Sequence, residues 1–192
     1  SQRMLGNGWT AADQAAYLAG SSTHATLVPP TTRLYGAAFD RHPDGSGLVY
    51  WVRERAGGRS ITSIARAFVV SPEFRDRYGH LGDTAFVTQV YRNVLDRQPD
   101  AAGQAYWVGR LRAGMSRAEL LVGFSESPEN VTATEADVIV SWVIALLLNR
   151  TATADERAVW GEQLRNGLSP TAMVRMIMAG DELAWRAGTG AY

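Results

Sequence analysis

Apolar residues return at helical spacing in one segment after another. In "TAFVTQVYRNVLD", residues 84–96, Phe86, Val90, Val94 and Leu95 recur with the period of a helix. In "AAGQAYWVGRLRAG", residues 101–114, Tyr106, Trp107, Val108 and Leu111 gather near one face, and Gly114 closes the segment as a C-terminal cap. The next segment, "SRAELLVGFSES", opens on Ser116 with Glu119 three residues later, a capping box. Ser127 followed by Pro128 pairs a cap with a proline at the first helical position, which predicts a short further helix. "VIVSWVIALLL" at 138–148 is eleven residues long and interrupted by Ser141, too short to span a bilayer, so it predicts a buried core helix. No comparable run alternates apolar with polar positions. The pattern therefore predicts an all-α fold.

The pattern also repeats. A shift of 56 residues brings Tyr35 onto Tyr91, Asp40 onto Asp96, Arg41 onto Arg97, Pro43 onto Pro99 and Asp44 onto Asp100. It continues, without a gap, through Gly47 and Gly103, Tyr50-Trp51 and Tyr106-Trp107, Gly58 and Gly114, to "SPE" at 71–73 and 127–129. A more divergent copy follows at a shift of 53, with Asn149-Arg150, Trp160, Gly167, Ser169, Ile177 and Glu182 in the corresponding places. A fragment at 5–17 overlies 95–107, putting Thr10 on Asp100 and Tyr17 on Trp107; Pro29-Pro30 then falls where a helix would run, so the fragment is expected not to continue. These matches predict tandem helical modules of about four short helices each, packed into one array. The expected boundaries are 1–32 for a partial module, 33–79, 80–134, and 135–192 for the divergent copy. The spacer "HLGDTAFVTQ" has no flexible Gly/Ser tract, which predicts direct packing of neighbouring modules.

The copies show what the repeated residues do. The second Asp of the loops "DRHPDGSG" and "DRQPDAAG" corresponds to Asp44, Asp100, Thr153 and Thr10, all good N-caps. A calcium ligand would not be exchanged for Thr so freely. Arg41, Arg97 and Arg150 persist, as do Glu73, Glu129 and Glu182, which predicts a partly buried Arg–Glu pair in each module. Trp51, Trp107 and Trp160 read as core residues. Tyr50 and Tyr106, one position away, are the better candidates for contact with a ligand.

Composition narrows the chemistry. Nineteen basic residues, all Arg, balance nineteen acidic ones, so no global field draws in nucleic acid or anionic lipid. There is no Cys, which excludes disulfides, thiol catalysis and Cys-based zinc sites. The histidines are His24, His42 and His80; none recurs between copies, and each reads as a solvated residue. No G-x-S-x-G or phosphate-binding glycine loop is present. Calcium could draw on Asp40, Asp44, Asp96 and Asp100, but these loops lack the ligand pattern of an EF-hand. A hydrolase would need a pocket between modules lined by unrepeated acids such as Asp83, Glu135 or Asp137. The expectation is a non-catalytic chain without cofactor, catalytic residues or metal. Its possible ligand-binding residues are Tyr50, Tyr106, Asp40, Asp44, Asp96 and Asp100.

Residues 34–74 and residues 90–129 each resemble the bacterial DUF4214 module, through LY-x-x-x-L-x-R-x-P-D-x-x-G-x-x-Y-W, a Gly-x-Ser turn and a Ser-x-Glu-Phe close. The third copy is similar more loosely. The family is also similar to the helical domain of phycobilisome linker polypeptides, which joins proteins and does no chemistry. The resemblance implies an extracellular or cell-surface helical module of a larger secreted or surface protein. The tandem repetition favours binding or scaffolding of a polysaccharide or partner protein, and the balanced charge and short apolar run favour no nucleic acid and no membrane insertion. A calcium-stabilised structural array is the alternative. The resemblance supplies no catalytic residues.

Overall fold

Turn chemistry divides residues 22–178, which the computed structural model describes, into ten helices; no strand occurs among the described residues. The proposed opening fragment with Thr10 and Tyr17, and Glu182 of the third copy, lie outside them. In chain order the helices are α1 Ser22–Phe39, α2 Gly45–Ala56, α3 Ile61–Val69, α4 Pro72–Tyr78 and α5 Asp83–Leu95. They continue with α6 Ala101–Arg112, α7 Arg117–Ser125, α8 Pro128–Leu148, α9 Ala154–Arg165 and α10 Pro170–Met178.

The recurrent residues are the punctuation of these helices. Asp44, Asp100 and Thr153 cap α2, α6 and α9 by accepting the amide of the residue three positions on. Ser60, Ser71, Ser116 and Ser127 cap α3, α4, α7 and α8 in the same way, and Ser116 with Glu119 completes the capping box. Gly58, Gly114 and Gly167 each take a positive φ, near 100°. Around Gly114, its amide donates to Leu111 O and Met115 N donates to Arg110 O, the paired bonds of a Schellman close. The same two bonds recur at Gly58 and Gly167.

Two helices differ from the sequence expectation. Pro29 and Pro30 do not stop α1, which runs through both. A proline at 30 cannot donate to Thr26 O, but Arg55 of α2 reaches over and donates through Nη1 to Thr26 O and Leu27 O, at 3.2 and 2.8 Å. Thr31 and Thr32 add side-chain bonds to Leu27 O and Val28 O. The helix expected to be short after Ser127 instead continues for 21 residues and absorbs the apolar run at 138–148. Between α4 and α5 the chain holds Gly79 and Gly82. The corresponding stretch before Asn149 is three residues shorter and has no glycine, so nothing breaks it. By length and composition α8 could cross a membrane, but here its residues 140–147 are buried inside the protein.

Two apolar cores hold the helices. The first draws Leu34, Tyr35 and Phe39 of α1 together with Ile64, Phe68, Phe74, Phe86, Val90, Leu120 and Phe124, mixing the first two copies. The second joins Val28 of α1 and Leu48, Val49 and Val52 of α2 to the buried half of α8, Trp160 and Met173. Each fully buried Phe, Leu or Ile here stabilises the fold by about 1.5–3 kcal/mol relative to its exposed state. The first two copies meet through their equivalent helices, α3 against α7 and α1 against α5. The third meets the first through α2 and α8, where Gly45 is required: a Cβ there would lie 2.2 Å from Ala145 O. The modules share cores, as the stiff spacer predicts. That spacer is itself clamped by Arg117, which donates to Tyr78 O and Leu81 O and lies over the Phe86 ring, 4.4 Å from its centroid.

Candidate ligand-binding surface

The two quoted loops are built alike, and most of their polar groups are already engaged. Asp40 and Asp96 end α1 and α5 in the left-handed conformation, with φ of 51° and 48°. Asn149 does the same after α8. Asp and Asn tolerate this region better than other residues with a side chain, which explains the exchange of Asp for Asn in the third copy. The Asp44 carboxylate accepts from Gly47 N and Ser46 Oγ, and the Gly47 bond in particular holds its pKa below the usual carboxylate value. Asp100 accepts from Gly103 N at 2.7 Å. No group of three or more His, Asp or Glu gathers as a metal-ligand set among the described residues.

Arg41 grips Glu73 with a two-bond fork at 2.8 and 3.0 Å, and Arg97 grips Glu129 at 3.1 Å twice. Each arginine also covers a core ring, Arg41 over Tyr35 and Arg97 over Tyr91. The hydrogen bond from its arginine lowers the pKa of Glu73 and of Glu129. These pairs are more open than expected: the Arg41 and Glu73 side chains are 37% and 36% exposed. In the third copy Arg150 bonds Glu156, at 2.7 Å through Nη1, and its expected partner Glu182 lies outside the described residues. Glu156 stands where Gly47 and Gly103 stand in the other copies. Those glycines lie against Tyr35 and Tyr91, whose hydroxyls would be 2.6 and 2.3 Å from an added Cβ. Ile144 replaces the tyrosine in the third copy, and a side chain then fits.

Tyr50 and Tyr106 are the exposed ends of two matching ladders of rings. Phe68 in the core meets Trp51 edge-on at 5.2 Å, and Trp51 meets Tyr50 edge-on at 4.8 Å. In the second copy Phe124 meets Trp107 at 4.8 Å, and Trp107 meets Tyr106 at 5.2 Å. The tryptophans are half-buried, while the tyrosines remain 54% and 58% exposed. The third copy has Val159 beside a buried Trp160, so its ladder stops inside.

A polar cleft of about 500 Å³ opens where the three copies meet, between α1, the 40–42 loop, the end of α5, α8 and the start of α9. Its wall includes Asp40, His42, Asn93, Asn130, Asp137 and Arg157. His42 is not the solvated loop residue its isolation suggested. Its Nδ1 lies 2.8 Å from Ser141 Oγ of α8, and Ser141 is fully buried. Burial first, then the nearby Arg157 charge, lower its pKa to about 4, against an opposing pull from Asp137. Of the unrepeated acids, Asp137 lines this cleft, Glu135 lines a different one beside α9, and Asp83 begins α5. Arg157 and Asn93 were missed because no motif contains them. The available signal was divergence: Arg157 occupies the place of Leu48 and Gln104, and His42 that of Gln98 and Thr151.

Residues 65–134 match a family model described as "Domain of unknown function (DUF4214)". The match runs from within α3 to the first turns of α8. No curated protein and no solved structure matches the chain.

Proposed function

We propose, from the premise that the chain carries a DUF4214 domain over residues 65–134, that it is a non-catalytic binding module whose ligand is a polysaccharide. One observation carries this reading: the same ladder of rings runs twice from core to surface and ends both times on an exposed tyrosine. A ring held edge-on by a tryptophan loses little freedom when a ligand stacks on it. The recurrent acids, by contrast, serve as helix caps and ion-pair partners, which supports a scaffold rather than an active site. An extracellular or cell-surface setting within a larger secreted bacterial protein belongs to the same proposal and draws on the resemblance of the repeated motif.

The test is retention of the chain by a panel of cell-wall and capsular polysaccharides in affinity electrophoresis. The wild type is expected to be retarded by at least one of them. Tyr50→Ala or Tyr106→Ala should weaken the retardation and the double variant abolish it, with unchanged melting temperature. No retardation by any polysaccharide, or a double variant that behaves as wild type, would reject the proposal; binding to a protein partner would then account for the surface.

A further inference from the structure

Six ion pairs tie charges together among the described residues, but those facing the central cleft are not all matched. Arg33 and Arg41 line it, yet both give their forked face to glutamates, Glu126 and Glu73. Thr32 and Thr134 donate to backbone carbonyls of their own helices, and Asn130 to Ser125 O at the end of α7. The charged groups that remain are Asp40, Asp137 and Arg157. No hydrogen bond or ion pair engages either carboxylate among the described residues. Arg157 has no acidic partner within ion-pair distance there and donates through Nη1 to Ala152 O at 2.6 Å, leaving its other N–H groups for an occupant.

These three groups define what would fill the space. An ionised aspartate only accepts hydrogen bonds and an arginine only donates them. The occupant must bring O–H or N–H donors for Asp40 and Asp137, and an acceptor for Arg157. A carboxylate matches the planar guanidinium best. A volume of about 500 Å³ suits a ligand the size of one or two sugar rings. Among the described residues no Phe, Tyr or Trp lines the cleft, so they offer a neutral sugar no ring to stack on there. Hydroxyls on one edge and a carboxylate on another are the features of a uronic acid.

We propose that this cleft binds a uronic acid residue of an acidic polysaccharide, with Arg157 taking the sugar carboxylate and Asp137 and Asp40 accepting ring hydroxyls. The proposal rests on the reading of the chain as a polysaccharide binder and adds the sugar class and a site separate from the tyrosines. Both cleft acids repel the sugar carboxylate, which fixes its orientation toward α9.

The experiment is calorimetric titration of the full chain with trigalacturonate, with the neutral trimer of galactose, and with glycine as a small zwitterion. Trigalacturonate is expected to bind, and the neutral trimer and glycine not to. Arg157→Gln should weaken binding by about tenfold or more, the loss of a charge-assisted contact. Asp137→Asn, nearly the same shape, should weaken it too, and serves if Arg157→Gln lowers the melting temperature. Equal affinity in these variants, equal affinity for the neutral trimer, preference for glycine, or no binding of trigalacturonate would overturn the proposal. Polysaccharide retention lost in the tyrosine variants but intact in the cleft variants would reject this site and leave the proposed function standing. Uronate binding lost in the cleft variants but intact without the tyrosines would support this site and reject the tyrosines as the sugar-binding surface.

Discussion

Gly103 has a tyrosine hydroxyl where its side chain would be. Tyr91 Oη lies 2.3 Å from the position of an added Cβ, so Gly103→Ala is expected to destabilise the protein by about 1–3 kcal/mol. Removing the hydroxyl should make room, because the next atom of the ring is 3.3 Å away. In denaturant unfolding, Tyr91→Phe/Gly103→Ala should recover most of that loss; simple additivity of the two changes would reject the steric account. The sequence already contained this coupling, since the third copy lost Tyr and Gly together. It also marked the caps, because Asp, Thr and Ser can replace one another only where a backbone amide is the partner. It did not separate the two aspartates of each loop. Asp40 and Asp96 are left-handed helix ends, and that role became visible only through φ.

Ion pairs set the joints between elements, and their burial ranks them. Arg41–Glu73 joins the end of α1 to α4 and is over a third exposed on both sides, so Glu73→Ala should cost under about 1 kcal/mol. Arg33–Glu126 joins α1 to the end of α7, and the Arg33 side chain is only 9% exposed. Glu126→Ala strands that charge and should cost about 3 kcal/mol. Equal losses for the two variants in urea unfolding would contradict this ranking. The repeat displayed the first pair and hid the second, because Gln89 stands in the place of Arg33 in the next copy. Helix lengths were less legible than helix existence. At Pro30 of α1 the missing donor is replaced by Arg55, far along the chain, which donates to Thr26 O. The length of α8 follows from three absent residues and two absent glycines, which a copy-by-copy reading treats as a change of spacing.

At the scale of the whole molecule, the third copy is locked to the first by His42 against Ser141. A histidine of pKa about 4 in the folded state and 6.5 unfolded takes up its proton on unfolding anywhere between those values. Stability is therefore full above pH 6.5 and lost as the pH falls toward 4, by about 3 kcal/mol. Asp44, Glu73 and Glu156, whose pKa values are depressed, add losses at more acidic pH. His42→Gln, the residue found at the corresponding position 98, should flatten the melting temperature between pH 6.5 and 4. An unchanged slope would mean that the histidine is not titrating against this contact. The cleft and the histidine contact were beyond the repeat pattern because they arise where copies differ.

The central claim is that the repeated acidic loops are helix punctuation and not calcium sites. Thermal unfolding of the full chain in excess EDTA and in millimolar calcium tests it most directly. A bound ion at a hundredfold excess over its dissociation constant would stabilise the fold by about 2.7 kcal/mol. The account predicts the same midpoint in both, for the wild type and for Asp40→Asn/Asp96→Asn, which keeps the left-handed helix ends. A calcium-dependent rise in the wild type that disappears in that variant would contradict it.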